Sequence, residues 1–501
     1  MTDFEALLAE VEAAPRGRRT AAFFDFDGTL IDGYSAMAMM QHRWRRREMS
    51  PGEMARLLMV GIEAGMGEAD FERFMTVGVE AFRGREVSDM DEMGERLMLS
   101  VLGGTLYAEA WRLVEAHRRR GHTVVIATSA LPFQVEPLAR ELEIEHVLCT
   151  RLEVEDGLLT GKVDGPILWG PGKAAAVRAF AQTNRIDLDR SWAYGNGDED
   201  EEFLAVVGNP RPLNPSKGLA RVAGRRGWPV TRFRRRGRPG VTEVARTLAA
   251  YGGMATAFGA GLGIGLFNWN RQDAVNFTMA TGSDAALTLA GIRLNVTGEE
   301  HLWSQRPAIF IFNHQSILDG FIVMKLLRQD VTGVAKKEVA SQPGFGQFAK
   351  FAGMAFVDRA NTGKAVDALA PVVEKLNQGY SIAIAPEGTR SPTPRVAPFK
   401  KGAFHMAIQG RVPIIPIVIR NAGELFWRGS TFMRTGTIDV AVLPPISVTD
   451  WKRNELSERV EEVRELFVAT LADWPGSQRA LEPVEEEPSA GNGRTREKTA
   501  R

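Results

Sequence analysis

An α/β fold, built twice along the chain, is what this sequence predicts, and three observations predict it. The chain has 501 residues, more than the roughly 100–200 that one core organises. Short apolar runs end in small or polar residues: "RRTAAFFDFDGTL" at 18–30, "TVVIATSA" at 123–130, "PAIFIFNHQS" at 307–316, "YSIAIAPEGTR" at 380–390 and "RVPIIPIVIR" at 411–420. Stretches of helical pattern separate them, the alternation of an α/β protein. Apolar residues make up 44% and charged residues 25%, so the chain is of globular composition, and Lys+Arg and Asp+Glu both total 62, so no net charge points to nucleic acid.

The elements follow in order. Residues 1–19 are an extension, acidic and amphipathic before turning basic, with no apolar core of signal-peptide length; a cytoplasmic start is expected. The first α/β unit is expected over 20–233. Within it, about 33–100 lacks strand signals and reads as a helical insertion in which Met37, Met39, Met40, Met54, Met59, Met66 and Met75 fill helix contacts or shape a substrate cap. Cys149 stands alone, which excludes an intramolecular disulfide and a thiolate metal cage and leaves it as a buried hydrophobe.

From Asn209 to Gly240 there is no acid, and Arg225, Arg226, Arg232, Arg234, Arg235, Arg236 and Arg238 accumulate. This is the domain boundary, either a solvated linker or a polybasic segment against anionic lipid, where each cation contributes about 1 kcal/mol. No charge occurs between Arg246 and Arg271. That length suffices to span a bilayer, but the many glycines make shallow or re-entrant insertion the equal alternative. Gly259, Gly261, Gly263 and Gly265 do not form a nucleotide loop, since no strand precedes them. Residues 234–289 are therefore a basic and apolar membrane-associating segment, 290–472 a second α/β unit, and 473–501 a polar, disordered tail.

"DFDGTL" puts Asp25 and Asp27 just past a strand, with Gly28 for a tight turn and Thr29 for a local hydrogen bond. One carboxylate can attack phosphorus while the other handles the leaving group's proton. Thr128 follows a second strand, Lys173 follows a "GPGK" turn and Asp200 lies in "YGNGDEDEEFL": hydroxyl, ammonium and acidic cluster, in that order. Together these residues resemble the haloacid dehalogenase superfamily, closest to its phosphoserine-phosphatase-like branch with a helical cap. The resemblance implies a Rossmann-like domain in which Asp25 forms an aspartyl-phosphate and Asp27 is general acid and base. It further implies that Thr128 and Lys173 bind the phosphoryl group, and that Asp25, Asp27, Asn196 and Asp200 form the Mg²⁺ site. One departure stands out. Asn196 occupies the position where the family usually has an acidic ligand, so Mg²⁺ affinity is expected to fall unless Asp198 or Glu199 compensates through a shifted loop.

"NHQSILD" supplies His314 and Asp319. With His314 in the turn and Asp319 in the following helix they can meet, and a carboxylate that fixes the imidazole's tautomer lets the other ring nitrogen take a proton from a hydroxyl. Ser316 lacks a nucleophile elbow and reads as a helix cap. "GMAFVDR", ending in Arg359, then "PEGTR", then "VPIIPIVI" follow at ordered intervals. This set resembles the glycerolphosphate acyltransferase family, in particular its 1-acylglycerol-3-phosphate (lysophosphatidic acid) acyltransferases. The resemblance implies that His314 deprotonates the acceptor's glycerol hydroxyl, with Asp319 stabilising the imidazolium, and that no metal is needed. It also implies that Arg359, Glu387, Gly388, Thr389 and Arg390 build the glycerol-phosphate site. Glu387 would orient an arginine or form a surface salt bridge; Lys400 and Lys401 would contact substrate or solvent.

The expected protein is a bifunctional enzyme of phospholipid synthesis. Its partners would be lysophosphatidic acid, acyl-CoA or acyl-carrier protein, a phosphomonoester and an anionic membrane surface, with Mg²⁺ for the phosphatase. It would work at the cytoplasmic face of the cell membrane, peripheral or shallowly inserted. The alternative keeps the acyltransferase alone, with the first unit a regulatory module.

Overall fold

The computed structural model describes residues 3–52, 54–55, 68–234, 239–341, 345–357, 370–452 and 454–475. Arg235, Arg236, Arg238, Met59, Met66, Arg359 and the tail beyond 475 lie outside the described residues.

The first unit runs α1 (Asp3–Ala13), β1 (Ala21–Phe24), α2 (Ser35–Arg45), α3 (Glu68–Glu80), α4 (Val87–Leu97), α5 (Ala108–Arg119), β2 (Thr123–Ala127) and α6 (Pro132–Glu141). It continues with β3 (His146–Leu148), the hairpin β4 (Arg151–Glu155) and β5 (Leu158–Asp164), α7 (Pro171–Asn184), β6 (Trp192–Gly195), β7 (Asn209–Pro212) and α8 (Lys217–Arg226). Its main sheet has the order β3-β2-β1-β6-β7, parallel throughout. All four residues of β1 are buried, because helices cover both faces of a parallel sheet. The chain leaves β1 to opposite sides to form β2 and β6, so the carboxyl end of β1 opens into the crevice where such folds hold ligands.

Two features of this unit follow from helix periodicity. Phe4, Leu7, Leu8 and Val11 form one stripe of α1 and are buried in the unit's core, Phe4 lying edge-on to Phe233. The segment expected to be an extension over 1–19 is thus partly core, since four apolar side chains at that spacing have a face to bury. In the helical insertion, Met75, Val79, Phe82, Met90 and Met93 pack together against Phe133 and Leu159, so methionine does serve as filler there.

The second unit begins with α9 (Val241–Asn268), α10 (Arg271–Phe277) and α11 (Ser283–Ala290). Then come β8 (Ile292–Thr297), β9 (Ile309–Phe312), α12 (Leu318–Leu327), β10 (Val331–Lys336), α13 (Phe345–Phe351), β11 (Ala355–Val357), α14 (Ala370–Asn377) and β12 (Ser381–Ile384). α15 (Gly402–Gly410), β13 (Ile414–Arg420), β14 (Gly436–Val442) and α16 (Leu456–Ala472) complete it. The sheet order is β11-β10-β12-β9-β13-β14-β8, with only the β13/β14 pair antiparallel. β9 is central, flanked by β12 and β13, which brings the residues after all three strands to neighbouring positions.

α9 is 28 residues long and apolar enough to cross a membrane by length and composition. Three of its six glycines are packing sites, while Gly252, Gly259 and Gly263 face open space. A Cβ on Gly253 would lie 2.7 Å from Leu289, one on Gly261 2.3 Å from the Thr278 hydroxyl, and one on Gly265 2.8 Å from the Ala274 Cβ. That face lies against the α10–α11 region, while Leu248, Tyr251, Leu266, Phe267 and the following Trp269 remain exposed.

Candidate active sites

In the first unit, Asp25 directly follows β1 and is buried. Its Oδ1 accepts from Lys173 Nζ at 2.8 Å and its Oδ2 from Thr29 Oγ1 at 3.2 Å. Lys173, in the first turn of α7, also donates to Asp200 Oδ1 at 2.7 Å. Burial works against the lysine's charge, but Asp200 and Asp25 outweigh it and hold the ammonium above the ordinary lysine range. Burial pushes Asp25 up to about 8 despite Lys173, and Asp27 up to about 6 despite its hydrogen bonds from Ser35. Those bonds are close: Ser35 N to Oδ1 at 2.7 Å and Ser35 Oγ to Oδ2 at 3.0 Å. Asp27 is therefore tied to the first residue of α2, the entry into the helical insertion. Thr128 lies two residues beyond Ile126, the register partner of Phe24, at the same sheet edge as Asp25; its Oγ1 accepts from Ala130 N at 3.1 Å.

The Asn196 departure has a clear geometry. Its Oδ1 accepts from Thr29 Oγ1 at 3.2 Å, so it converges with Asp25 on one hydroxyl. A Cβ on Gly28, where φ is +74°, would sit 2.2 Å from Asn196 Nδ2, which requires glycine there. Asp200 Oδ2 accepts from the Asn196 and Gly197 backbone N–H groups at 2.9 and 3.1 Å. All four expected ligands already accept hydrogen bonds from the protein: Asp25 from Lys173 and Thr29, Asp27 from Ser35, Asn196 from Thr29, and Asp200 from Lys173 and these amides. Among the described residues no three His, Cys, Asp or Glu side chains form a metal cage. Asp25 and Asn196, which converge on the Thr29 hydroxyl, offer oxygens that fit a hard ion that keeps most of its waters, as Mg²⁺ does, with one carboxylate's charge. Asp198 does not compensate: it accepts from Leu219 N at 2.7 Å and from Ser216 Oγ, capping α8. Glu199 is pushed up to about 7, by burial first and the Asp200 charge second.

In the second unit, β9 delivers His314 to a bend and Asp319 sits one residue into α12. His314 Nδ1 lies 2.8 Å from Asp319 Oδ2, and that oxygen also accepts from Gln315 N at 2.7 Å and Ser316 N at 2.8 Å. A fully buried carboxylate so placed fixes the ring with Nδ1 protonated and leaves Nε2 as the basic nitrogen. Ser316 Oγ donates to Phe426 O at 2.7 Å and accepts from Leu318 N, a turn bond one residue ahead of the cap position Ile317, so the hydroxyl is tied to backbone. Asn313 exchanges two 2.8 Å bonds with the Ile419 backbone, locking the end of β9 to β13.

Glu387 departs from expectation. It is buried and pairs with no arginine among the described residues; Oε1 accepts from His314 N at 2.6 Å and Oε2 from Ala397 N at 2.9 Å. Burial pushes its carboxyl up to about 7 against those two bonds. It is the clamp between the histidine and the loop that follows the glycine turn. Gly388 adopts φ +77°, and a Cβ there would meet Lys400 Cε at 3.0 Å and Nζ at 3.1 Å, so Lys400 lies over the turn. Lys401 turns away to Ser457 Oγ at 2.7 Å. Thr389 is exposed, Arg390 is partly buried, and Ser391 N donates to His314 O at 2.7 Å. Sequence reading missed Ser35 and the clamp function of Glu387, because each depends on which backbone a loop brings back, not on motif spacing.

Residues 22–205 match the family model of haloacid dehalogenase-like hydrolases, and residues 293–420 match that of acyltransferases. A 1-acyl-sn-glycerol-3-phosphate acyltransferase of Limnanthes alba is 37% identical over 195 residues, 38% of this chain and 67% of that protein. A Mycobacterium tuberculosis protein described as a probable phosphatase is 33% identical over 259 residues, 49% of this chain and 88% of its own. The solved 1-acyl-sn-glycerophosphate acyltransferase of Thermotoga maritima aligns with 26% identity and a TM-score of 0.40, covering 46% of this chain and 97% of that one. The chain spans about two thirds of the length of the plant acyltransferases it matches, 67% and 66% for the two Limnanthes proteins.

Proposed function

Because this chain belongs to the haloacid dehalogenase-like hydrolases through residues 22–205 and to the acyltransferases through residues 293–420, we propose that it is a bifunctional enzyme of phospholipid synthesis. The second unit transfers a fatty acyl group from an acyl thioester, on coenzyme A or acyl-carrier protein, to 1-acylglycerol-3-phosphate. The first unit hydrolyses a phosphomonoester.

The observation that carries the acyltransferase reading is the 2.8 Å contact between His314 Nδ1 and Asp319 Oδ2. His314 Nε2 takes the proton of the acceptor's glycerol hydroxyl as that oxygen attacks the thioester carbonyl. The C–S bond breaks, the imidazolium returns the proton to the thiolate, and phosphatidic acid and free thiol leave. Asp319 stabilises the imidazolium, and Glu387 holds the His314 backbone while Arg390 meets the acceptor's phosphate. His314→Ala removes the base and should lower acyl transfer by roughly 10²–10⁴-fold, measured with labelled thioester and lysophosphatidic acid.

In the first unit, an Asp25 oxygen attacks phosphorus, the ester P–O bond breaks, and Asp27 protonates the departing alkoxide. Asp27 then takes a proton from the water that hydrolyses the aspartyl-phosphate, releasing inorganic phosphate. Lys173 and Thr128 hold the phosphoryl oxygens. A Mg²⁺ ion held by Asp25 and Asn196 would supply further charge neutralisation there. The Asn196 substitution favours a second reading, in which this unit is catalytically weak and regulates the acyltransferase; Mg²⁺-dependent phosphate release that vanishes in Asp25→Asn rejects it.

The exposed apolar side of α9, next to an arginine-rich stretch, supports docking at the anionic cytoplasmic face of the membrane, where both lipid substrates reside.

A further inference from the structure

Beyond the motifs, the segment after β13, "ELFWRGS" at 424–430, carries a cation that the sequence does not single out. Arg428 is partly buried, and its Nη1 donates to the backbone oxygen of Arg390 at 3.0 Å. Burial first, and the Arg390 charge second, lower its pKa. Neither Arg390 nor Arg428 has a carboxylate partner among the described residues, and the one hydrogen bond of the Arg428 guanidinium goes to a backbone oxygen. Lys400 lies over the adjacent Gly388 turn. Three cations, Arg390, Arg428 and Lys400, thus gather at one turn, which also carries the Glu387 carboxylate turned to the His314 and Ala397 amides.

The site is held from behind by the first unit. A Cβ on Gly104 would lie 2.2 Å from the Arg428 carbonyl oxygen, and one on Gly103 2.5 Å from the Pro392 Cβ. Thr393 Oγ1 donates to Glu141, the last residue of α6, at 2.7 Å, and Arg395 pairs with Glu143 at 2.5 Å. The loop between them leads back to the histidine, since Ser391 N bonds His314 O and Gln315 Nε2 bonds Pro394 O at 3.1 Å. Two unneutralised arginines, fixed from two sides and one residue from a hydrogen bond to His314, suit a phosphate that sits a few bonds from the reacting hydroxyl.

We infer that Arg428 is a second binding residue for the acceptor's phosphate, forming with Arg390 a paired-guanidinium site that the first unit holds in place. The assignment rests on the acyltransferase reading. The competing ligand of the same chemistry is the phosphate of the thioester carrier, and kinetics separate the two.

The test uses the full chain and its Arg428→Gln and Arg428→Lys variants. One measures the KM for lysophosphatidic acid, the KM for the acyl thioester, kcat, and the Ki of glycerol 3-phosphate against lysophosphatidic acid. Loss of a charge-assisted pair should raise the acceptor KM and the glycerol 3-phosphate Ki about tenfold or more in Arg428→Gln. The thioester KM should stay at the wild-type value, and kcat should change far less than KM. Arg428→Lys should fall between, and it supplies the same comparison if Arg428→Gln does not fold. An unchanged acceptor KM, or a shift in the thioester KM alone, overturns the assignment. A wild type that acylates no lysophosphatidic acid instead overturns the acyltransferase reading beneath it.

Discussion

Glu387 accepts two backbone N–H groups from segments 73 and 10 residues away in sequence, and so decides how His314 and the arginine loop face each other. The motif made this residue visible; its partners were invisible, because a carboxylate beside "GTR" suggests a side-chain ion pair and only the folded loop shows which amides need an acceptor. Asp25, Lys173, His314 and Asp319 were legible for the opposite reason: they sit at strand ends or first helical turns, where spacing sets position. Asn196 leads to a prediction in the direction of gain. Asn196→Asp restores a second charged oxygen beside Asp25 and should lower the Mg²⁺ concentration needed for half-maximal phosphate release, by about tenfold or more, as a charged ligand replaces an amide on a hard cation. An unchanged Mg²⁺ requirement would mean that residue 196 does not face the ion. Glu199 gives a pH prediction. Its folded pKa, about 7, is raised above the ordinary 4.5, so the folded state binds the extra proton between those values and stability falls as pH rises through that window. Glu199→Gln lacks this loss. Without added Mg²⁺ its advantage over wild type in urea unfolding should grow from pH 4.5 to 7, to at most about 3 kcal/mol, and then level off; an advantage independent of pH would refute the burial argument.

At the scale of elements, both parallel sheets could be read from their apolar runs, because strands covered on both faces need no alternation. α1 was underestimated. Its stripe of Phe4, Leu7, Leu8 and Val11 is short and carries acids, and only a partner surface, supplied by residues about 100 positions later, reveals it as core. In the sequence the glycines of α9 count against full membrane insertion, whereas in the fold Gly253, Gly261 and Gly265 allow neighbouring helices to approach closely and stabilise it through tertiary packing. The other side of α9 ends in Leu266, Phe267 and Trp269, which are 74%, 87% and 93% exposed. Three such side chains together are the surface on which the proposed membrane docking rests. Replacing all three by serine should weaken sedimentation of the chain with phosphatidylglycerol-containing vesicles by roughly a hundredfold or more, given about 1.5–3 kcal/mol per fully buried apolar side chain. Wild-type vesicle binding by the triple variant would remove α9 as the membrane contact.

At the scale of the whole molecule, two catalytic constellations lie on one chain, and the units touch through Glu141 and Thr393 close to the acceptor loop. This contact joins residues 252 apart, and no local pattern announces it. The proposed function makes the chemistry of the two sites independent, with a carboxylate nucleophile at Asp25 in one and a base at His314 in the other. The measurement that tests this most directly assays the purified full chain with Mg²⁺, lysophosphatidic acid and an acyl thioester, following phosphatidic acid and inorganic phosphate together in wild type, Asp25→Asn and His314→Ala, with phosphoserine and phosphatidic acid as further phosphate donors. Two working sites predict that Asp25→Asn loses only phosphate release and His314→Ala only acyl transfer. Phosphate release that survives in Asp25→Asn, acyl transfer that survives in His314→Ala, or no phosphate release from any donor by the wild type would contradict the bifunctional enzyme.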